Sequence, residues 1–220
     1  LIAVEGKRDD ALKIVLPELL AWQHLQRSEG MLVHQMIAAV MIKESMKTID
    51  AILDLGPASP TTLEAVRGAL ENACPIGDVF RIGFIGDYFY SCSYDDFVSR
   101  RLTNEEAKIF LGTLGLDANA LVFQSRLFGF SLLMPGRTWR SGYLDALKRV
   151  VSLAVVRDLE TLDRMGADAA RRWTIKNSLG VRFTGMALPA FAKISKHIWG
   201  IEDARVSLLN RVEKLVGENQ

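Results

Sequence analysis

Residues 31–55 read MLVHQMIAAVMIKESMKTIDAILDL. From Met31 to Ile42 there is no charged side chain, and apolar residues then return at Met46, Ile49, Ile52 and Leu53. Spacings of three and four are the signature of a helix, because side chains so separated share one face. The reading places Val33, Met36, Ile37, Val40, Met41, Met46, Ile49, Ile52 and Leu53 on a wide buried face, with Gly56-Pro57 stopping the helix. A helix this apolar has to be covered by other elements, so its neighbours decide the fold.

Upstream, Leu12, Leu16, Leu19, Leu20, Trp22 and Leu25 follow nearly the same rhythm between Asp9 and Glu29, with Pro17 expected to open a fresh first turn and Gly30 to end the helix. Helix, glycine and helix give either an antiparallel hairpin or one long kinked helix. Downstream, Ser59-Pro60 is an N-cap with proline at the first helical position, opening a helix to Asn72 that Cys74-Pro75 closes. Thr103-Asn-Glu-Glu106 is a capping box, and Asp117 caps an apolar segment ending at Pro135-Gly136. A long helix is expected over Thr138–Met165, with Leu144, Leu147, Val151, Ala154, Val155, Leu159 and Leu162 inward. A short polar helix over Ala167–Lys176 follows, then Leu179–Trp199 kinked near Pro189, and Ile201–Val216 carrying Val206, Leu209, Val212 and Leu215.

Only Val79–Ile85 alternates like a strand, and one short strand cannot make a sheet. Helix is the preferred reading there despite glycines at 77, 83 and 86. The chain is therefore all-α: a single irregular bundle of about seven to nine helices in paired hairpins over residues 1–220, with residues 1–8 extended or disordered. The expected core comprises Val33, Ile37, Val40, Ile49, Leu147, Val151, Val155 and Leu188.

At 220 residues, 49% hydrophobic and 24% charged, the chain has the balance of a globular protein and excludes collagen-like, disordered and disulfide-knit classes. A net charge of +1 is too near neutral for a chain that lives on a phosphate backbone, so no nucleic-acid partner is expected. The first 136 residues carry a balance of −5 and the remainder +6, which is read as attraction between two halves of one fold. No run approaches the roughly 18 apolar residues of a membrane span, so a soluble chain is expected. It begins at Leu1, and removal of a leader, anchor or signal peptide upstream is expected.

Cys74 and Cys92 belong to no CxxC pair; one disulfide or two buried thiols both fit, with the unpaired state preferred. No GxSxG, Walker loop or GxGxxG is present, so no cofactor is expected. His24 and His34 flank Gly30 near Glu29, but the spacing matches no HExxH and no metal is assigned. His197 reads as a cation near a helix end. Asp87, Asp95 and Asp96 lie among Tyr88, Phe89, Tyr90 and Tyr94, a mixture of carboxylates and aromatic rings that a glycosidase or sugar-binding site uses. Tyr88 and Tyr90 complete this alternative polar site, although aromatic residues at helix spacing are more often core. Arg137, Arg140, Arg171 and Arg172 read as a solvated face.

Residues 122–134, VFQSRLFGFSLLM, carry one charge at Arg126. The segment is either an interior helix, the preferred reading, or one wall of an apolar groove for an acyl chain or partner helix. Phe123, Phe128 and Phe130 are the groove candidates, beside Gly129, where another chain can approach closely.

Three stretches together resemble an uncharacterised family of predicted exported or periplasmic bacterial proteins, all-helical and without an assigned activity. Leu32-Val-His-Gln-Met-Ile-Ala-Ala-Val-Met-Ile42 with Ile52-Leu53 is similar to that family's buried L-x-x-Q-h-x-x-x-h-h helix. Leu133-Met-Pro-Gly-Arg-Thr138 resembles its Pro-Asn-x-Thr turn, with Gly136 in place of Asn. Asn177-Ser-Leu-Gly180 and Ala187-Leu-Pro189 resemble its Asn-Pro-x-Gly and Ala-Leu-Pro pair, with Ser178 in place of Pro. The resemblance spans about residues 9–216 and implies a helical fold in the cell envelope, with no catalytic residue to carry over. The function expected is a noncatalytic helical scaffold or partner-binding protein of the bacterial envelope, acting through a protein partner, a homodimer or an apolar small ligand. The competing expectation is an envelope enzyme or binding protein acting on glycan, peptide or lipid.

Overall fold

The computed structural model describes residues 7–28, 30, 32–56, 58–86, 88, 136–171 and 178–218, and in the second half the side chains of 144–165 and 191–218. Helices α1 (Arg8–Arg27), α2 (Leu32–Asp54), α3 (Pro60–Glu71), α4 (76–86), α5 (Gly136–Val155), α6 (Leu159–Arg171) and α7 (Ser178–Glu218) account for nearly all of them, and no strand occurs among the described residues. The fold is all-α, and the glycine-rich stretch around Val79–Ile85 is helical.

Two compact units divide the chain, one of Leu1–Gly83 with Ile194–Gln220 and one of Phe84–Lys193. In the first, α1, α2, α3 and the C-terminal half of α7 close around Leu12, Leu19, Ile49, Leu63, Val66, Leu70 and Val212, all essentially without solvent contact. Hydrogen bonds and charge pairs fix the directions. Asp9 at the start of α1 accepts from the Ser59 backbone N–H at the start of α3 (2.9 Å), and Gln23 and Arg27 near the end of α1 reach the end of α3, so these helices run parallel. Arg8 lies over Gly56 beyond the end of α2, so α1 and α2 form an antiparallel hairpin. A Cβ at Gly56, whose φ is +136°, would stand 2.9 Å from the Arg8 guanidinium carbon. The lower half of α7 runs parallel to α2, because Arg211 meets Asp50 and Asp54 while Lys43 shares a groove with Ala204.

Local chemistry explains the ends. Ser59 Oγ accepts from Thr62 N (3.4 Å) with Pro60 next to it, the expected cap. Pro17, by contrast, opens no new turn. It lies on the exposed side of a continuous α1, where water can serve the carbonyl that a proline leaves without its helical donor. The helix expected over Thr138–Met165 is also broken, at Val156–Asp158. Arg157 takes φ +60°, Asp158 N donates to Leu153 O (2.9 Å) and Arg157 N to Ala154 O (3.1 Å), which is a Schellman ending with arginine in the usual glycine place. Asp158 then caps α6 by accepting from Thr161 N at 3.1 Å. Gly200 does not end a helix, so the two expected last helices are one, α7.

In the second unit the described side chains bury Leu147, Val150, Ala154, Leu162, Phe191 and Ala192, and Phe84 meets Phe191 edge to face with ring centres 4.8 Å apart. Of the expected core, Ile49 and Leu147 are buried, Val151 and Val155 are half-buried, and the side chain of Leu188 lies outside the described residues. Val33, Ile37 and Val40 are a correction: they are 50%, 48% and 40% exposed. The buried face of α2 is instead Leu32, Gln35, Ala38, Ala39, Ile42, Ser45, Met46 and Ile49. Small residues let neighbouring backbones come close, whereas β-branched ones hold them apart, and the approach of α4 shows it: a Cβ at Gly83 would sit 3.0 Å from Leu32 Cδ1 and 3.2 Å from Gln35 Cγ.

Two glycines therefore respond in opposite ways. Gly68→Ala, on the exposed side of α3 with nothing near its would-be Cβ, should stabilise the protein by about 1 kcal/mol. Gly83→Val should destabilise it by about 2 kcal/mol, since a branched side chain cannot enter against Leu32 and Gln35. Urea unfolding midpoints check both, and a neutral Gly83→Val would mean that α4 does not rest on α2.

Candidate functional site

The last carbonyls of a helix have no partner within it. At the end of α3 these groups are met by side chains from far along the chain. Gln23 Nε2 donates to Ala69 O (2.9 Å), Arg205 Nη1 to Leu70 O (2.9 Å), and Arg27 Nη2 to Asn72 O and Asn72 Oδ1 (3.0 Å to the latter). Two guanidinium groups thus sit at the negative end of the helix dipole. Glu202 holds Arg205 from the other side through Nε (2.8 Å) and Nη2 (2.7 Å), a two-point pairing that fixes the guanidinium plane.

Beside this junction lies a crevice lined by Gln23, Gln26, Ile42, Cys74, Glu202 and Arg205, with a free volume of about 30 Å³. Gln23 is 2% exposed, and while its nitrogen is committed to Ala69 O, its Oε1 has no partner among the described residues. A bare buried acceptor costs about 1–3 kcal/mol. Cys74 is buried and unbonded. Burial pushes its thiol up, opposed by the charge of Arg27 and reinforced by that of Asp78, so it stays protonated near neutral pH and is a poor nucleophile.

A larger groove of about 340 Å³ runs between α2 and α7, lined by Lys43, Met46, Lys47, Asp50, Ser207 and Arg211 among others. Arg211 is tied to Asp50 and to Asp54 (2.7 Å), and Lys47 to Glu44 (2.7 Å). Adding Lys43 sets three cations against three carboxylates in and around the groove, so it selects no ligand by charge. The third feature is apolar. Val33, Ile37 and Val40 fall at i, i+4 and i+7 along the outer face of α2, flanked by half-buried Met36 and Met41, before the same face turns polar at Glu44, Lys47 and Thr48.

Among the residues anticipated for a polar site, Tyr88 is helical and half-buried, while Asp87, Tyr90, Asp95 and Asp96 lie outside the described residues, as do the groove candidates Phe123, Phe128 and Phe130 and the thiol of Cys92. His24 and His34 are both exposed, and no three His, Cys, Asp or Glu side chains group as metal ligands would among the described residues. His197 is not near a helix end; it lies within α7 with Nε2 buried. No described helix is long and apolar enough to cross a membrane. The residues at the α3 junction were not anticipated, yet α1 carries a signal for them. Its buried stripe of Leu12, Leu16 and Leu19 continues at the same spacing into Gln23 and Gln26, polar residues in core positions.

Arg205→Met should destabilise the protein by about 2 kcal/mol in thermal or urea unfolding, because it strands the Leu70 carbonyl and the half-buried Glu202 carboxylate together. Acid should loosen the other end of α3. The Asp9 carboxyl is held below the usual carboxylate range by the Ser59 backbone N–H first and the Ser59 side chain second, against some desolvation. A depressed folded value means the stabilisation is complete above the ordinary carboxylate pKa of about 4 and is lost as pH falls through the folded value. Asp9→Asn should therefore differ from the parent protein above the ordinary carboxylate range, and the difference should shrink as the pH falls below it, whereas a constant difference would discard this tie as the source.

No family model, no curated protein and no solved structure matches the chain, so the chemistry of these sites rests on its own residues.

Proposed function

We propose that this chain is a noncatalytic helical scaffold of the bacterial envelope that binds a protein partner through the outer face of α2. The observation that supports the binding role is the exposure of Val33, Ile37 and Val40 on a helix whose other face is already fully used by its own core. A soluble helix that is apolar all round is normally covered on every side. A partner helix or a second copy laid along this face supplies that cover, and the polar turn at Glu44 sets where the contact ends. The three polar features of the first unit support the scaffold role: one is a structural junction, one a groove with cancelled charge, and one a protonated thiol. The envelope location is supported by the resemblance of the Leu32–Ile42, Leu133–Thr138 and Asn177–Pro189 stretches alone.

A photo-crosslinking residue placed at position 37 should trap a partner in the host cell, and one placed at Thr48 on the polar part of the same face should not. Val40→Asp should abolish the adduct while shifting stability by no more than about 0.5 kcal/mol, as befits a solvent-facing position. An unfolded Val40→Asp would return this face to the core and defeat the proposal. Fractionation of the native gene product checks the compartment, with recovery in the cytoplasm refuting the envelope location.

A further inference from the structure

We infer that the occupant of the outer α2 face is a short amphipathic helix of another protein, carrying acidic residues along the edge that meets Lys43. The inference rests on the reading of that face as a contact surface and adds the chemistry of the partner. Lys43 follows Val40 by three residues and Met36 by seven, so it stands at the edge of the apolar stripe. The same side chain lines the groove between α2 and α7, together with Met46, Ala204 and Leu208. Stripe and groove therefore meet at one ammonium group.

Taken whole, the groove has no preference for charge, but its cations are not equally committed. Arg211 is held by Asp50 and Asp54, and Lys47 by Glu44 at 2.7 Å. Lys43 is half-buried and makes no ion pair among the described residues. A partner laid over the stripe strips water from this ammonium group, and a carboxylate on the partner offsets that loss. The face of a second copy brings Lys43, Lys47 and the Glu44 carboxylate, and moving Glu44 from Lys47 to the other copy's Lys43 breaks one pair to make another. A foreign acidic residue adds a pair outright. Size argues the same way. Val33, Ile37 and Val40, each about half exposed, span only about 10 Å of α2. That seats a few turns of a helix and falls short of the roughly 800 Å² that each partner buries in a stable dimer.

Two synthetic helical peptides test the inference, alike in a leucine stripe at i, i+4 and i+7 and differing only in glutamate or lysine along both edges of it. Fluorescence anisotropy at low salt should show the full chain binding the glutamate peptide about five-fold more tightly, and about 0.5 M salt should erase the preference. Lys43→Met should remove the preference, Lys43→Glu should reverse it, and Val40→Asp should weaken both peptides. Circular dichroism checks that the variants fold; if Lys43→Glu does not, Lys43→Met, which keeps an aliphatic stem, decides. Equal binding of the two peptides, or a preference untouched by Lys43→Met, overturns the inference. So does a dimer in sedimentation that Val40→Asp splits, which would make a second copy the occupant. Binding of neither peptide overturns it too, and leaves cross-linking at position 37 to judge the contact surface separately.

Discussion

Three side chains from two distant helices close the open end of α3. Gln23 and Arg27 come from α1 and Arg205 from α7, more than 130 residues further along the chain in the last case, and each donates to a different carbonyl of the last turn. The first unit depends on this junction because α3 is short and its own first-turn cap, Ser59, is fixed by a second long-range bond from Asp9. With both ends of α3 tied to α1, the two helices are locked in parallel register, and the C-terminal half of α7 is pulled onto the same bundle through Arg205 and again through Arg211. Hydrophobic burial drives the four helices together, but it is indifferent to small slides along their axes; directional bonds to unsatisfied carbonyls are what select one alignment.

The same geometry leaves one apolar face of α2 exposed. Burial of Leu32, Gln35, Ala38 and Ala39, with Leu32 and Gln35 against Gly83 of α4, leaves Val33, Ile37 and Val40 outward. A close approach between helices favours small side chains such as Ala38 and Ala39 at the contact, and Val33, Ile37 and Val40 are left on the opposite side, the face proposed for a partner. The buried core face and the proposed contact surface are thus two consequences of one choice of face.

Much of the helical architecture was legible in order along the chain. The Ser59-Pro60 start, the helical periodicity of α1 and α2 and the preference for helix over strand near Val79–Ile85 follow from local backbone physics, since capping, proline geometry and side-chain spacing act within one or two turns. The boundaries that differ have two causes. Pro17 and Gly200 are both exposed, where water serves the carbonyl that proline frees and glycine costs only about 1 kcal/mol, so α1 and α7 run through them. At Val156–Asp158 the reverse holds: no proline or glycine announces the break, and it exists because a Schellman ending and the Asp158 cap together satisfy the freed groups.

The sequence by itself determined that the chain is helical, where several helices begin, and that α1 carries polar residues in line with its apolar stripe, because these properties are set by neighbours three or four residues apart. Only the tertiary structure decided which side of α2 is buried and what Gln23, Arg27 and Arg205 bond to. The physical reason is that residues 31–42 carry no charge and only His34 and Gln35 as polar side chains, so periodicity assigns no face. The choice is made by the fit of Leu32 and Gln35 beneath Gly83 and by carbonyls some 45 and 135 residues away from their donors, quantities that have no trace in local spacing.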